Sequence, residues 1–398
     1  MNPRRQLTPN RCRFLALAAI CLLGISTAAS AQGTRDPDLE SQVQALCQSY
    51  LADFASAKTH LAYGRKINGP KGTAVLVPPA EVRQGLVRGK PVPYGYGSGI
   101  EDLALHNGHL LFALCDAYEA TKNASFADTA RRVFSGLRRL GSTSPVPGFV
   151  PRGPHPDDIK SYYGDSSLDQ HTTFVYALWR YYRSELATPE DKAFIRQALA
   201  SVGQRLEKNG WAIRVEDDTR IAHVGFSWLQ ATDVGAGTLL TVLAAIHDVT
   251  GDNHWRALYE KFGTERDGIR WKVLLDAGGG KRSPLTLYWN QFCVRDAVLS
   301  RLEKNPQRQA ILALRWGEVT SRMLQGNVWE AWRRADWAPG DISGSVEVAD
   351  EEAERRLGTI GLSLKQSATV FDLWDFYRRL APQDRAPYWV QRLCVRMP

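Results

Sequence analysis

The chain has 398 residues, of which 44% are hydrophobic and 23% charged, and it carries a formal net charge of +8. This balance is that of a globular protein able to bury a large core, and it excludes a disordered or collagen-like chain. Lys and Arg are not clustered beyond short pairs, so the positive excess does not point to nucleic acid, while a polyanionic substrate stays open.

The first element is an export signal. Arg4, Arg5, Arg11 and Arg13 precede the apolar run Phe14–Ile25, and the small-residue exit Ala29-Ser30-Ala31 follows. Charged, apolar and small-residue regions in that order predict a secretory signal peptide over residues 1–31. Cleavage would leave about 367 residues from Gln32, exported to a periplasm or the medium. Cys21 lies inside the apolar run without the residues a lipoprotein site needs before it, and the run is too short to span a membrane.

A helix is expected from about Pro37 to His60, then strand-like patches at Ala74–Val77 and near Ala212–Val215. Between and beyond them lie amphipathic pairs. Leu110, Leu111, Leu114 and Tyr118 share a helix face, and Phe126, Ala130, Val133, Phe134 and Leu137 share another after a short turn. The same phrase returns with Leu239, Leu240, Leu243 and His247, then Trp255, Leu258, Tyr259 and Phe262. A third pair begins with Phe174, Val175, Leu178 and Tyr182 and turns at Ala187–Asp191, where Thr188 is the N-cap and Pro189 the first helical residue. A fourth spans Val294–Leu302 and Ala310–Met323 around the Lys304-Asn305-Pro306 break, and a last helix is expected near Ser367–Leu380.

These are helical hairpins repeating every 55–65 residues or so. Hairpin repeats bury their apolar faces against neighbours, in an open superhelix or a closed ring. The long irregular connectors and the lack of short-repeat signatures favour the ring, an all-α (α/α)6 or (α/α)7 toroid with minor β-hairpins in its loops. Residues 32–398 then form one domain. Cys47, Cys115, Cys293 and Cys394 would remain after export, as buried thiols or in one or two disulfides of undetermined pairing.

Connectors leading into the first helix of each hairpin carry the chemistry. They are Pro93–Asp102, Pro154–His171, Val215–Trp228 and Gly278–Asn290, rich in Gly, aromatics, His and acids. In a ring they would emerge at one end and form a common mouth, the default place for a binding site. Within them His223 and His171 are candidate proton-transfer groups; a core imidazole and a solvent-facing helix-start histidine are the plainer alternatives. Asn107 is a candidate amide donor or a helix-packing amide, and Arg282 and Tyr288 flank the fourth connector. Tyr163, Asp169, Glu216, Trp228 and Trp289 complete the candidate binding set, with Glu101, Asp102 and Asp233 as further carboxylates. No C-x-x-C pair, nucleophile elbow or βαβ glycine motif occurs, so no metal or cofactor is expected. Twelve tryptophans against thirteen phenylalanines suit the C–H faces of sugars.

Export, hairpin layout and the order Asn107, His171, His223, Arg282, Tyr288 together resemble the secreted bacterial (α/α)7-barrel lyases acting on glucuronan and alginate. The resemblance implies metal-free β-elimination on a uronate polysaccharide or oligosaccharide. Asn107 and Arg282 would neutralise the uronate carboxylate, His223 or His171 would be the base, and Tyr288 the acid or base opposite. Two alternatives remain: a glycoside hydrolase on the same scaffold, using Asp169 with Asp102 or Asp233, and a noncatalytic glycan-binding toroid.

Overall fold

A computed structural model describes residues 37–275 and 286–324, with the side chains of 37–39, 42, 46, 49, 286–290 and 317–324 outside the description. The signal segment, Arg282, Cys394 and the helix expected near Ser367–Leu380 therefore lie outside the described residues. By its contacts the chain divides after Ser41. Of the first unit only 37–41 are described, as the opening turn of helix α1 (Pro37–Phe54). Every helix and strand beyond α1 belongs to the second unit.

The described chain is mostly helical. After α1 comes a short 3₁₀ turn, Gly72–Val75, then α2 (Pro79–Arg83), opened by Pro79. Strands β1 (Leu86–Val87) and β2 (Lys90–Pro91) then pair antiparallel, Leu86 with Pro91 and Val87 with Lys90. Arg88 and Gly89, both at positive φ, make the tight turn between them. The strand expected at Ala74–Val77 is not formed. Ala74 and Leu76 donate their backbone N–H groups to Lys71 and Thr73, so the segment coils locally. The patch near Ala212–Val215 does form a minimal hairpin, with an antiparallel bridge from Arg214 to Ile221.

The hairpins come next along the chain. They are α3 (Leu103–Thr121) with α4 (Ala124–Gly141), α5 (Leu168–Tyr182) with α6 (Pro189–Lys208), α7 (Asp233–Thr250) with α8 (Asn253–Leu275, broken by a kink of non-helical backbone at Glu265–Gly268), and α9 (Thr286–Leu302) with α10 (Pro306–Leu324). The first helices start at Leu103, Leu168, Asp233 and Thr286, close to the period read from the sequence. Turn chemistry sets the boundaries. The Asn123 side chain caps α4 and that of Ser167 caps α5. Thr188 and Asp191 form a reciprocal capping box on α6. The two similar phrases end their first helices alike: Lys122 and Gly251 are left-handed and donate their N–H groups to the Tyr118 and His247 carbonyls, each at 2.7 Å.

The two helices of a hairpin play different parts. Residues 103–112 of α3, 170–181 of α5 and 235–246 of α7 are buried without interruption, as expected of helices enclosed on all sides. Helix α4 buries a single stripe, Phe126, Ala130, Val133, Phe134, Leu137 and Leu140, and turns Arg131, Arg132, Arg138 and Arg139 to solvent. The first helices pack in succession, α3 on α5, α5 on α7 and α7 on α9, and each second helix packs on its own first. Gly108 permits the α3–α5 approach; a Cβ there would meet Thr173 Cγ2 at 2.6 Å.

None of the described helices is long and apolar enough to cross a membrane. Cys47 and Cys115 are free thiols, and burial pushes the pKa of Cys115 up to about 12.

Candidate functional site

The connector before α3 is shaped by one carboxylate. Glu101 accepts hydrogen bonds from Gly97 N (3.2 Å), Ser98 Oγ (3.1 Å) and Gly99 N (2.6 Å). Gly95, Gly97 and Gly99 supply the positive φ angles that this tight wrapping demands. The loop therefore projects Tyr94 and Tyr96 from a rigid base, with Gly95 pressed against the Tyr163 ring.

Arg152 secures the next connector. It is fully buried, donating to the Glu101 carbonyl (3.2 Å), Asp102 Oδ1 (3.3 Å) and the Ser166 carbonyl (3.1 Å). Its guanidinium also lies 4.9 Å over the Tyr96 ring. Gln170, on α5, donates to the same Asp102 oxygen at 2.7 Å and so joins the starts of α3 and α5. The third connector is bonded to the second. Leu168 N donates to the Val224 carbonyl (2.9 Å), and buried Asp165 accepts from His223 N (3.0 Å) while pairing with Arg220 (2.7 Å).

His223 thus stands where the three connectors meet. Its imidazole, exposed to solvent, stacks on Tyr94 (centroids 3.8 Å apart) and meets Tyr96 edge-on at 5.4 Å. Partial burial and the charges of Arg152 and Arg220 lower its pKa, with Asp165 opposing, so it is neutral near pH 7. Burial chiefly, with Asp102 and Asp169 adding, pushes the Tyr96 phenol up to about 12 against the pull of Arg152. A cleft of about 200 Å³ opens alongside, lined by Asp169 and Leu168 of α5, Val224 and Phe226 of the third connector, and Phe292 of α9. The first turns of α5 and α7 and the second turn of α9 border it, and the Asp102–Gln170 bond joins the start of α3 to that of α5.

No protein-family model, curated protein or solved structure matches the chain.

The structure sorts the sequence candidates. His223 lies where three connectors meet, more open than an imidazole flanked by apolar residues is expected to be, and Asp169 lines the cleft. Asn107 is a packing amide. Its oxygen accepts from Ala62 N (2.8 Å) and its nitrogen donates to the carbonyls of Ala62 (3.0 Å) and Leu103 (2.8 Å), leaving nothing for a substrate carboxylate. His171 is a core residue: 2% exposed, Nδ1 at 3.1 Å from the Ser167 carbonyl, ring edge-on to Phe149. Tyr163 is buried and donates to the Leu86 carbonyl (2.8 Å), and Trp228 is fully buried, so neither is a sugar platform. Glu216 fastens connectors together, accepting from Tyr162 Oη (2.6 Å) and Ser144 Oγ. Asp233 is held ionised by Arg295 and Arg315. Tyr288 and Trp289 fall in the first turn of α9 with side chains outside the description, as is the whole of Arg282. Among the described residues no three His, Cys, Asp or Glu gather to hold a metal. Tyr94 and Tyr96 stood in the first connector without being singled out. Arg152 and Arg220 gave no signal, since a single Arg in a loop reads as solvated surface.

Burying His171 has a pH consequence. Burial carries its pKa from 6.5 down to about 3, so the unfolded chain binds its proton more readily. The stabilisation is present above pH 6.5 and is lost as pH falls from there toward 3, by up to about 1.4 kcal/mol per pH unit. His171→Asn, which keeps a donor near the Nδ1 position, is expected to flatten the decline in melting temperature between pH 6.5 and 4.5, above the main range of carboxylate titration. An unchanged slope in paired melts would show that His171 is not the group responsible.

Proposed function

We propose that the protein is an exported carbohydrate-active enzyme that cleaves a uronate-containing polysaccharide by β-elimination. The observation that carries this reading is His223: a solvent-facing, neutral imidazole stacked on Tyr94 and edge-on to Tyr96, under the charges of Arg152 and Arg220, one residue before Val224 of an apolar cleft. The C5 proton of a uronate becomes removable once its carboxylate charge is balanced. Arg220, about half exposed, would do that in place of Asn107 while keeping its pair with Asp165. His223 takes the C5 proton, the electron pair forms the C4–C5 double bond, and the C4–O bond breaks. Tyr96 protonates the departing oxygen. Arg282 and Tyr288 of the fourth connector would join the same mouth. The succession of packed first helices supports closure of the hairpins into an (α/α)6 or (α/α)7 ring.

One observation favours a hydrolase as second reading: Asp169 lines the cleft and acts electrostatically on Tyr96 together with Asp102. Asp169 would act there together with Asp102 or Asp233.

The test offers the purified protein a panel of uronate and neutral polysaccharides while ultraviolet absorbance and reducing ends are followed together. Elimination raises both, because the new double bond is conjugated with the carboxylate. New reducing ends without absorbance overturn the lyase reading in favour of the hydrolase.

A further inference from the structure

Two residues of the mouth share one buried carboxylate. Asp165, in the second connector, is 1% exposed, and the chain on either side of it is fixed. The Gly164 carbonyl accepts from Glu216 N (2.9 Å) and the Ser166 carbonyl from Arg152 (3.1 Å). Ser166 Oγ donates to the Val150 carbonyl at 2.6 Å. The carboxylate is therefore set on a rigid base.

What it holds is exposed. Arg220 and His223 stand three residues apart in the third connector, with Ile221 half in solvent between them. One Asp165 oxygen accepts from His223 N at 3.0 Å, and the other pairs with Arg220 Nη2 at 2.7 Å. Arg220 Nη1 donates to the Ile221 carbonyl (3.2 Å), so two nitrogens fix the guanidinium while its side chain stays 49% exposed. A guanidinium carries five N–H donors in a rigid fork, which leaves others for an anion arriving from solvent. An arginine already held in place loses less freedom when it meets that anion than one waving in water. The imidazole feels the arrangement. Partial burial, then Arg152 and Arg220, lower the His223 pKa while Asp165 opposes, and Tyr94 and Tyr96 are its ring neighbours.

We propose that Asp165 is the positioning residue of this mouth, holding the Arg220 guanidinium and His223 at a fixed separation so that one anionic sugar meets both. This deepens the reading of the mouth as a uronate site and rests on it.

A histidine titration by NMR on the full chain, without substrate, tests the placement directly. The His223 signal is the one lost in His223→Ala, and it is followed in the parent, Asp165→Asn, Arg220→Gln and the double variant. The Asn side chain keeps an oxygen for His223 N, and Arg220 is open enough to be solvated, so the fold should hold. In the parent, Arg220→Gln should raise the His223 pKa, because it removes a cation acting on the imidazole. With Asp165 already replaced the same change should raise it far less, since the released guanidinium no longer stays nearby. An equal rise in both backgrounds would overturn the inference, because Arg220 then keeps its place unaided. Kinetics on a cleaved uronan supply a second readout. Asp165→Asn and Arg220→Gln should each lower kcat/KM about 10–10²-fold, and the double variant should be little worse than either. Losses that multiply would overturn the inference as well. Unequal rises without elimination on any uronan keep Asp165 as the anchor and remove the lyase reading instead.

Discussion

Arg152→Leu is expected to cost about 3–5 kcal/mol of stability, read as a fall in melting temperature of roughly 4–7 °C for a chain of this length. The side chain is fully buried and holds together segments far apart in sequence. Its guanidinium reaches the Glu101 and Ser166 carbonyls, the Asp102 carboxylate and the Tyr96 ring. Leucine fills much of the space and replaces none of those donors. Asp102 would keep the Gln170 amide but lose the cation, and two buried carbonyls would lose a donor. Arg152→Lys should recover little, because a point-charge ammonium cannot span three acceptors and a ring face. Adding Asp102→Asn to Arg152→Leu removes the uncompensated carboxylate and should restore part of the loss, so the two changes should not add. A leucine variant melting within about 1 kcal/mol of the parent would show that the network is ornamental to stability.

That network also marks where the sequence stops being readable. The hairpins were legible because their signals are local. Phe126, Ala130, Val133 and Leu137 recur at helical spacing on α4, and Thr188, Pro189 and Asp191 write the start of α6 in three residue types. The repeated phrases at Leu110 and Leu239 even end in the same left-handed turn. The first helices are another matter. Every residue of α5 from Gln170 to Tyr181 is buried, so periodicity assigns His171 no outward face. Asn107 fails for the same reason: on α3 its amide bridges to Ala62, more than forty residues away, a partner no local pattern could announce. The converging connectors were foreseen as a class, and three of them meet at His223. Which of their side chains would face inward was not, because Tyr94, Tyr96 and Tyr163 differ only in what the Gly95 turn does with them.

Under the proposed elimination, His223→Ala should lower kcat by about 10²–10⁴-fold with KM little changed, because the imidazole is asked to move a proton rather than to bind. The fold should survive. The ring is exposed and its stacking on Tyr94 is worth only about 0.5–1.5 kcal/mol. Tyr96→Phe keeps the ring under Arg152 and removes only the phenol, so a loss of similar size would place the second proton transfer there. If the two act as a unit, the double variant should be barely worse than either single one. The pH profile carries an independent check. His223 must be neutral to accept a proton and its pKa is held below the ordinary value, so kcat/KM should rise as pH climbs through that depressed pKa and stay high through neutrality. Tyr96, pushed up to about 12, remains protonated across that range and is ready as the acid. Asp169→Asn separates the readings. The lyase tolerates it because Asp169 borders the cleft without moving a proton. The hydrolase should lose nearly all turnover with it while His223→Ala stays active. Measured side by side on one cleaved substrate, these two variants assign the reaction to the imidazole or to the carboxylate.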